Sequence, residues 1–152
     1  MNTLMEPIDL NDHALSWIGK IYYDFGFLVQ KAFSENGLDL SKEEWSVLKR
    51  LDVTDGQPQN DLAFITHRDK TSMTRLVTSM ENKDLVIRKA DPKDQRTNRI
   101  YLTENGKEII QKVQPIMYDL IPAVQDSLTE EEVKDLITTL QKIKSRITEI
   151  AQ

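Results

Sequence analysis

Residues 69–83 carry the side chains whose types and spacing best suit recognition of another molecule. Their apolar members recur at i, i+3, i+4 and i+7, which predicts a helix with one buried stripe; these are Met73, Leu76, Val77 and Met80. At about 100° per residue, Thr71, Arg75, Thr78 and Asn82 point away from the stripe, with Ser72, Thr74 and Ser79 on its flanks. Hydroxyls, an amide and an arginine are donors and acceptors that can read base edges in the major groove of DNA.

A basic hairpin is predicted directly after this helix. Two short β-rich segments, residues 85–89 and 99–103, flank a polar loop that contains Asp91-Pro92. This pattern favours a hairpin with a long tip. Arg96 lies in the tip, where an arginine would suit the negative potential of a narrow minor groove.

The charge distribution is uneven along the chain. The net charge is −5, but residues 68–99 hold nine basic and five acidic residues, a net of +4. The remaining 11 basic and 20 acidic residues therefore carry −9. A basic module in an acidic body can bind phosphate locally. Charge alone leaves open that this is an ordinary solvated face.

Further helices must position these two elements. A first helix is predicted over residues 11–34, with apolar residues at alternating spacings of four and three; much of it is expected to be buried. That seam consists of Ala14, Ile18, Ile21, Phe25, Leu28 and Ala32. A second helix begins at Ser41, which forms a capping-box pattern with Glu44. A third spans residues 60–66, with Leu62, Ala63 and Ile65 facing inward.

Two longer helices close the chain. The first is predicted over residues 104–126, with a kink or break near Pro115 and Pro122. The second starts at the capping box of Thr129 and Glu132. Its apolar residues follow a coiled-coil spacing; they are Val133, Leu136, Leu140, Ile143, Ile147 and Ile150. Heptad-like seams at both ends of the chain predict a two-fold homodimer.

The order of these elements predicts a mainly α fold, an α+β winged helix-turn-helix. The sequence also resembles the MarR (multiple antibiotic resistance regulator) family over essentially the whole chain. The matching stretches are LAFITHRDKTSMTRLVTSMENKDLVIR from Leu62 and DPKDQRTNRIYLTENG from Asp91. Trp45-Ser46-Val47-Leu48 and Gln59 are similar to the preceding family segment. Asp84 departs from the glycine of many members, but aspartate tolerates a left-handed backbone.

The resemblance implies a single MarR-like unit over residues 1–152. Residues 41–103 would form the winged helix-turn-helix DNA-binding lobe, flanked by a helical dimerisation lobe of residues 8–35 and 104–152. The implied function is sequence-specific transcription regulation, as a repressor. The implied partners are double-stranded operator DNA of palindromic sequence, a second copy of the chain and a small-molecule effector.

The resemblance also assigns roles to individual residues. The implied DNA contacts are Arg68, Lys70, Thr71, Ser72, Thr74, Arg75, Thr78, Asp94 and Arg96. Of these, Arg68 and Lys70 would meet phosphate, and Arg96 would enter the minor groove with its side chain held by Asp94. The residues alone leave open that Asp94 only forms the turn and that Arg75 is an ordinary exposed charge.

An effector site is a further implication of the resemblance. Family ligands often bind between the DNA-binding lobe and the dimer helices, so the candidates for a small aromatic or phenolic effector are Trp17, Tyr22, Phe25, Trp45 and Tyr118. Aromatic residues on helices equally fit a plain core. The chain contains no cysteine, which excludes thiol-based peroxide sensing.

Two other classes of function compete with this interpretation. A winged helix that binds protein instead of DNA would lack the wing arginine and the polar helix face, and both are present. An enzyme is not expected, because His13 and His67 are the only histidines and no nucleophile motif, phosphate loop or metal cluster surrounds them. No cofactor or metal is expected. Without a secretory signal or a membrane-spanning apolar run, we expect a cytoplasmic protein without membrane contact.

Overall fold

The computed structural model describes residues 13–151, which form six helices and a three-stranded sheet. The helices are α1 (Ala14–Glu35), α2 (Lys42–Val53), α3 (Gln59–Ile65), α4 (Lys70–Asn82), α5 (Glu104–Gln125) and α6 (Glu130–Ile150). The strands are β1 (Gln57–Pro58), β2 (Val86–Ala90) and β3 (Asn98–Leu102). The mainly α, winged-helix fold class predicted from the sequence is confirmed.

The sheet is antiparallel, in the order β1-β3-β2. Strands β2 and β3 form the predicted hairpin, with Arg88 opposite Ile100. Strand β1 was not predicted, because two residues are too few to give an alternating pattern. Gln57 pairs with Ile100, and Pro58 is tolerated since an edge strand can lack an N–H donor.

Side-chain caps define where the helices begin. At α2, the Ser41 hydroxyl accepts from the Glu44 backbone N–H at 3.0 Å, and the Glu44 carboxylate accepts from the Ser41 N–H at 2.9 Å. At α4, Asp69 accepts from the Ser72 backbone N–H at 2.8 Å. Such caps satisfy amide donors that have no partner inside the helix. All of these starts agree with the sequence prediction.

Left-handed backbone conformations form two of the turns around α4. His67, between α3 and α4, has φ 53°, and Asp84, after α4, has φ 52°. Asparagine and aspartate adopt this region at lower cost than most residues. The turn into the wing therefore survives with Asp84 in place of glycine, as the sequence predicted.

The core of the winged region forms where the buried stripe of α4 meets its neighbours. Met73, Val77 and Met80 have no exposed surface. Fully buried side chains from α2, α3 and β3 complete this core; they are Val47, Leu48, Leu51, Leu62 and Ile100. The prediction that Ile65 faces inward is wrong, since Ile65 is 37% exposed. It ends a helix of only 7 residues, which buries Leu62 and Ala63 alone.

The first helix is far less buried in the single chain than its sequence predicts. Only Val29 and Phe33 are buried, and Trp17, Ile21 and Tyr22 are all more than half exposed. The apolar surface of α1 is wider than the part of the helix that other residues of this chain contact. Helix α6 has no buried residue at all.

Helix α5 continues through both of its prolines, so the predicted break is absent. Pro115 and Pro122 are exposed, which allows water to solvate the carbonyl groups that lose an N–H partner. The chain nevertheless divides into two compact units between Gln114 and Pro115.

Gly106 marks a close approach between α5 and the start of the wing. A Cβ atom at this position would lie well inside contact distance of the Leu85 backbone carbonyl oxygen. We expect Gly106→Ala to lower the free energy of unfolding by about 1–3 kcal/mol, because backbone must move to make room. Gly19→Ala is the matched control, since its Cβ would meet nothing within 4 Å. That change should stabilise α1 by about 0.5–1 kcal/mol. Urea denaturation of both variants measures the difference, and equal effects would contradict the packing argument.

Candidate nucleic-acid interface

The face of α4 opposite its buried stripe is open to solvent. Thr71, Arg75, Thr78 and Asn82 are exposed, as their spacing predicts. The Asp69 carboxylate caps the start of the helix, and hydrogen bonds from the Ser72 hydroxyl and backbone N–H lower the pKa of Asp69. A polar, exposed helix held by a rigid apolar stripe can be inserted into a groove without disturbing the core.

The hydroxyl groups of α4 have defined hydrogen-bond partners. Ser72 donates to the Asp69 carboxylate at 2.6 Å. Thr74 donates to the Lys70 carbonyl oxygen, and Thr78 donates to the Thr74 carbonyl oxygen, each at 2.9 Å. All three hydroxyl protons are therefore engaged within the protein.

Two residues outside α4 contact these hydroxyls, and sequence reasoning did not assign either contact. The Gln59 side-chain amide, at the start of α3, donates to the Thr74 hydroxyl oxygen at 2.9 Å. The Arg88 guanidinium, on β2, donates to the Thr78 hydroxyl oxygen at 3.3 Å. Periodicity within one helix carries no signal for such contacts, because the partners are 15 and 10 residues away.

Asp94 organises the tip of the wing through the backbone. Its carboxylate accepts from the Arg96 backbone N–H at 3.1 Å and from the Thr97 hydroxyl at 3.0 Å. The Thr97 N–H also donates to the Asp94 carbonyl oxygen at 2.9 Å. The contacts of Asp94 in this structure are thus those of a turn-forming residue. They fix the turn that carries Arg96, and the guanidinium of Arg96 is exposed.

The base of the wing is held by Arg99, which the sequence analysis counted only as a charge. Its Nε donates to the Asp91 carboxylate, and its Nη1 donates to the Gly56 carbonyl oxygen at 2.8 Å. Asp91 also accepts from the Lys93 backbone N–H at 2.8 Å. These contacts, with the Lys93 N–H contributing most, lower the pKa of Asp91. The loop before β1 and both strands of the wing are thereby joined.

The Asp91 contacts should make this junction sensitive to acid. Because its pKa is lower in the folded protein than the ordinary value of about 3.9, ionised Asp91 stabilises the fold above that value. This contribution is lost as pH falls through the lower, folded pKa. The difference in unfolding free energy between wild type and Asp91→Asn should stay constant from about pH 7 to 5 and shrink below about pH 4. Chemical denaturation across this range tests it, and a difference unchanged at about pH 2 would contradict it.

Some cations of the winged region have acidic partners. Lys83 Nζ lies 3.1 Å from both Asp39 and Glu44, and Arg88 lies 3.1 Å from Glu81. Burial lowers the pKa of Lys83, but its hydrogen bonds to the two carboxylates outweigh this and raise it. These ion pairs serve the protein's own structure.

Eight cations of residues 41–103 are left without an acidic partner among residues 13–151. They are Lys42, Lys49, Arg50, Lys70, Arg75, Lys89, Lys93 and Arg96. Lys70 and Arg75 are exposed on α4, and Lys89, Lys93 and Arg96 are exposed in the wing, while the other three lie on α2. Arg68 differs from them, since it lies 3.9 Å from the Glu43 carboxylate. Five of these eight cations thus lie on the two elements predicted to contact DNA.

Residues 40–97 match the sequence model of the MarR family. This segment runs from before α2 to the end of the wing loop. It is a MarR-family domain.

Solved structures share the fold well beyond the MarR domain. The transcriptional regulator BldR of Sulfolobus solfataricus is 25% identical with a TM-score of 0.79, covering 93% of this chain and 99% of its own. MepR of S. aureus, solved as a DNA complex, is 23% identical with a TM-score of 0.80, covering 89% and 98%. A MarR transcriptional regulator of Methanosarcina mazei Go1 is 22% identical with a TM-score of 0.77, covering 88% and 94%. The predicted MarR resemblance is confirmed, and this family and fold are those of transcriptional regulators.

The five aromatic residues assigned to an effector site occupy different surroundings. Trp45, inside the MarR domain, is half buried and packs edge-to-face against Phe33 with ring centroids 6.4 Å apart. On α1, Phe25 is half buried, while Trp17 and Tyr22 are 55% and 77% exposed. Tyr118, on α5 beyond Gln114, is 80% exposed. Trp45 therefore has a packing role in the MarR domain whatever else it does.

A membrane span is not found among the described helices. None of them combines the length and the apolar composition that crossing a bilayer requires.

Proposed function

We propose that this chain is a sequence-specific DNA-binding transcription regulator that acts as a homodimeric repressor on a palindromic operator. One observation carries the proposal. Exposed cations without an acidic partner among residues 13–151 occur on both elements, and they are Lys70 and Arg75 on α4 and Lys89, Lys93 and Arg96 in the wing. Duplex DNA offers a negatively charged surface with two grooves, one for each of these elements.

The recognition element in this proposal is α4. Arg75 projects from the exposed face and is the residue we assign to base edges, since arginine pairs with guanine in the major groove. Lys70 is at the first position of the helix, where it would meet phosphate together with Arg68. Thr71, Ser72, Thr74 and Thr78 would line the contact around Arg75.

The wing would contact the adjacent minor groove. Arg96 extends from a turn fixed by Asp94, and the hairpin base is fixed by Asp91 and Arg99. An arginine on a pre-ordered turn loses little backbone freedom on binding, which favours its insertion into a narrow groove.

Dimerisation would cover the apolar surfaces that the single chain leaves open. On α6, the seam residues Leu136, Leu140, Ile147 and Ile150 are 49%, 37%, 54% and 72% exposed. Exposed apolar patches of this kind mark interaction surfaces. We assign residues 8–35 and 104–152 to the dimerisation lobe and residues 41–103 to the DNA-binding lobe. Residues 8–12 and 152 lie outside the described part of the chain.

An effector would act by favouring the protein state that binds DNA less well. A ligand that lowers operator affinity must itself bind more weakly to the DNA complex by the same factor. We assign a small aromatic or phenolic carboxylate to the surfaces near Trp17 or Trp45, the only two tryptophans. Tryptophan fluorescence titration with salicylate, run with and without operator, measures this coupling. Quenching without any change in operator affinity would contradict effector control.

Selection from a random duplex pool tests the function itself. We expect wild-type protein to enrich a palindrome whose half-sites are centred about 10 base pairs apart, because recognition helices of a dimer lie about 34 Å apart on one face of DNA. Enrichment of no sequence at low salt would overturn the proposal. The winged helix would then serve as a protein-interaction module, for which Val53 and Phe64, 75% and 82% exposed, offer an apolar surface.

A further inference from the structure

The hydroxyls of Thr74 and Thr78 on α4 are each held by two partners of different kinds. Each donates its proton to a backbone carbonyl of its own helix at 2.9 Å. Each also accepts from a side chain of another element, Gln59 at 2.9 Å and Arg88 at 3.3 Å. A hydroxyl has one proton and two lone pairs. Each of these hydroxyls therefore retains one acceptor position and no donor toward solvent.

Folding alone does not explain the contact that Gln59 makes, and the ion pair with Glu81 explains only part of the position of Arg88. Each leaves one polar atom, Gln59 Oε1 and Arg88 Nε, buried without a hydrogen-bond partner among the described residues. An unsatisfied buried polar atom costs about 1–3 kcal/mol, so an apolar residue of similar shape would be tolerated at least as well at Gln59. What the two side chains do provide is a fixed orientation for two hydroxyls on the exposed face of α4.

We infer that Gln59 and Arg88 are positioning residues that set base preference, by restricting Thr74 and Thr78 to accepting hydrogen bonds from DNA. This inference rests on the proposed function. In the major groove, adenine and cytosine present an amino donor, whereas guanine and thymine present a keto oxygen at the equivalent place. A hydroxyl without a free proton discriminates against the keto bases. The operator should therefore favour adenine or cytosine where Thr74 and Thr78 make contact.

The two positions should be close together in each half-site. Thr74 and Thr78 are four residues apart, about 6 Å along the helix axis. We expect two nearby positions at which an amino base is preferred over a keto base by roughly 2- to 10-fold in affinity, the range of one hydrogen bond. Gln59 governs one position through Thr74, and Arg88 governs the other through Thr78.

The experiment uses labelled duplexes that carry the palindrome selected by the wild-type protein, with each half-site position changed in turn. Gln59→Met should abolish the amino-base preference at one position and leave the preference at other positions intact. Arg88→Met should do the same at the nearby position, while Arg88→Lys retains a cation that can donate to Thr78. Gln111→Met, at an exposed position of α5, makes the same chemical change outside the MarR domain and should bind as wild type.

Removal of the hydroxyl itself separates positioning from a general structural effect. Thr74→Val should lose the same preference as Gln59→Met, and the double variant should lose no more than either single variant. Melting temperatures establish that each variant is folded. If wild-type protein selects no sequence, the proposed function fails. If it selects a palindrome but the Gln59→Met and Arg88→Met proteins keep every base preference, the inference is overturned and the proposed function stands.

Discussion

Leu140→Asp should convert a particle of about twice the 17.6 kDa chain mass into one of the chain mass, and should remove operator binding. Leu140 is 37% exposed in the single chain, so the aspartate is solvated in a monomer. In a dimer the same charge would be buried without a partner, at a cost of several kcal/mol. The substitution therefore acts on association, and the monomer should keep its helical circular dichroism spectrum.

Ile147→Asp is a second variant of the same kind, since Ile147 lies on the α6 seam and is 54% exposed. Gln141→Asp is the matched control, because Gln141 is an exposed neighbour of Leu140 outside the seam. Light scattering at micromolar concentration and operator titrations measure all three proteins. A wild-type monomer, or a dimer that tolerates both seam charges, would contradict a dimer interface on α6.

Arg75→Ala and Arg96→Ala should weaken DNA binding in two different ways. Arg75 is exposed on α4, has no acidic partner among the described residues and projects from the face assigned to the major groove. Its loss should cost about 1–3 kcal/mol and relax preference at one symmetric pair of positions. Arg96 is at the wing tip, where minor-groove readout is degenerate. Its loss should weaken binding to all sequences, flatten the salt dependence and reduce preference mainly for narrow A·T-rich flanks.

Anisotropy titrations over a salt series distinguish the two effects. Lys142→Ala removes one positive charge from an exposed position of α6 and controls for net charge. That variant should retain wild-type base preference and nearly the wild-type salt slope. Unchanged affinity and salt slope in both arginine variants would refute DNA contact by α4 and the wing, and would favour the protein-interaction alternative.

The sequence predicted those features that depend on residues close together in the chain. Periodicity located the buried stripe of α4, and the caps at Ser41, Asp69 and Thr129 located the helix starts within a residue or two. The burial of α1 was overestimated, because periodicity gives the direction of an apolar face without naming what covers it. Because periodicity does give the direction of an apolar face, it correctly predicted which face of α4 is exposed.

Contacts between distant residues had no signal in a single sequence. The junction of Arg99 with Asp91 and Gly56 joins positions up to 43 residues apart, and the Gln59 contact to Thr74 crosses a turn. Neither the charge nor the residue type of these residues distinguishes them from other positions in the sequence. Their geometry also changes the interpretation of the candidate site, since Asp94 contacts the backbone of the wing turn and several α4 hydroxyls are already engaged.

Glu44 joins α2 to α4, and this connection limits how an effector could change DNA binding. Its carboxylate is 2% exposed and accepts from Ser41 at the start of α2, while Ser79 and Lys83 at the end of α4 lie 3.0 and 3.1 Å from it. The end of α4 is thus clamped to the start of α2, so neither helix can tilt alone without leaving a buried charge unpaired. We therefore expect a signal that moves the end of α4 to move the start of α2 with it. In a dimer, such a signal would change the distance between the two DNA-binding lobes and leave the shape of each lobe unchanged.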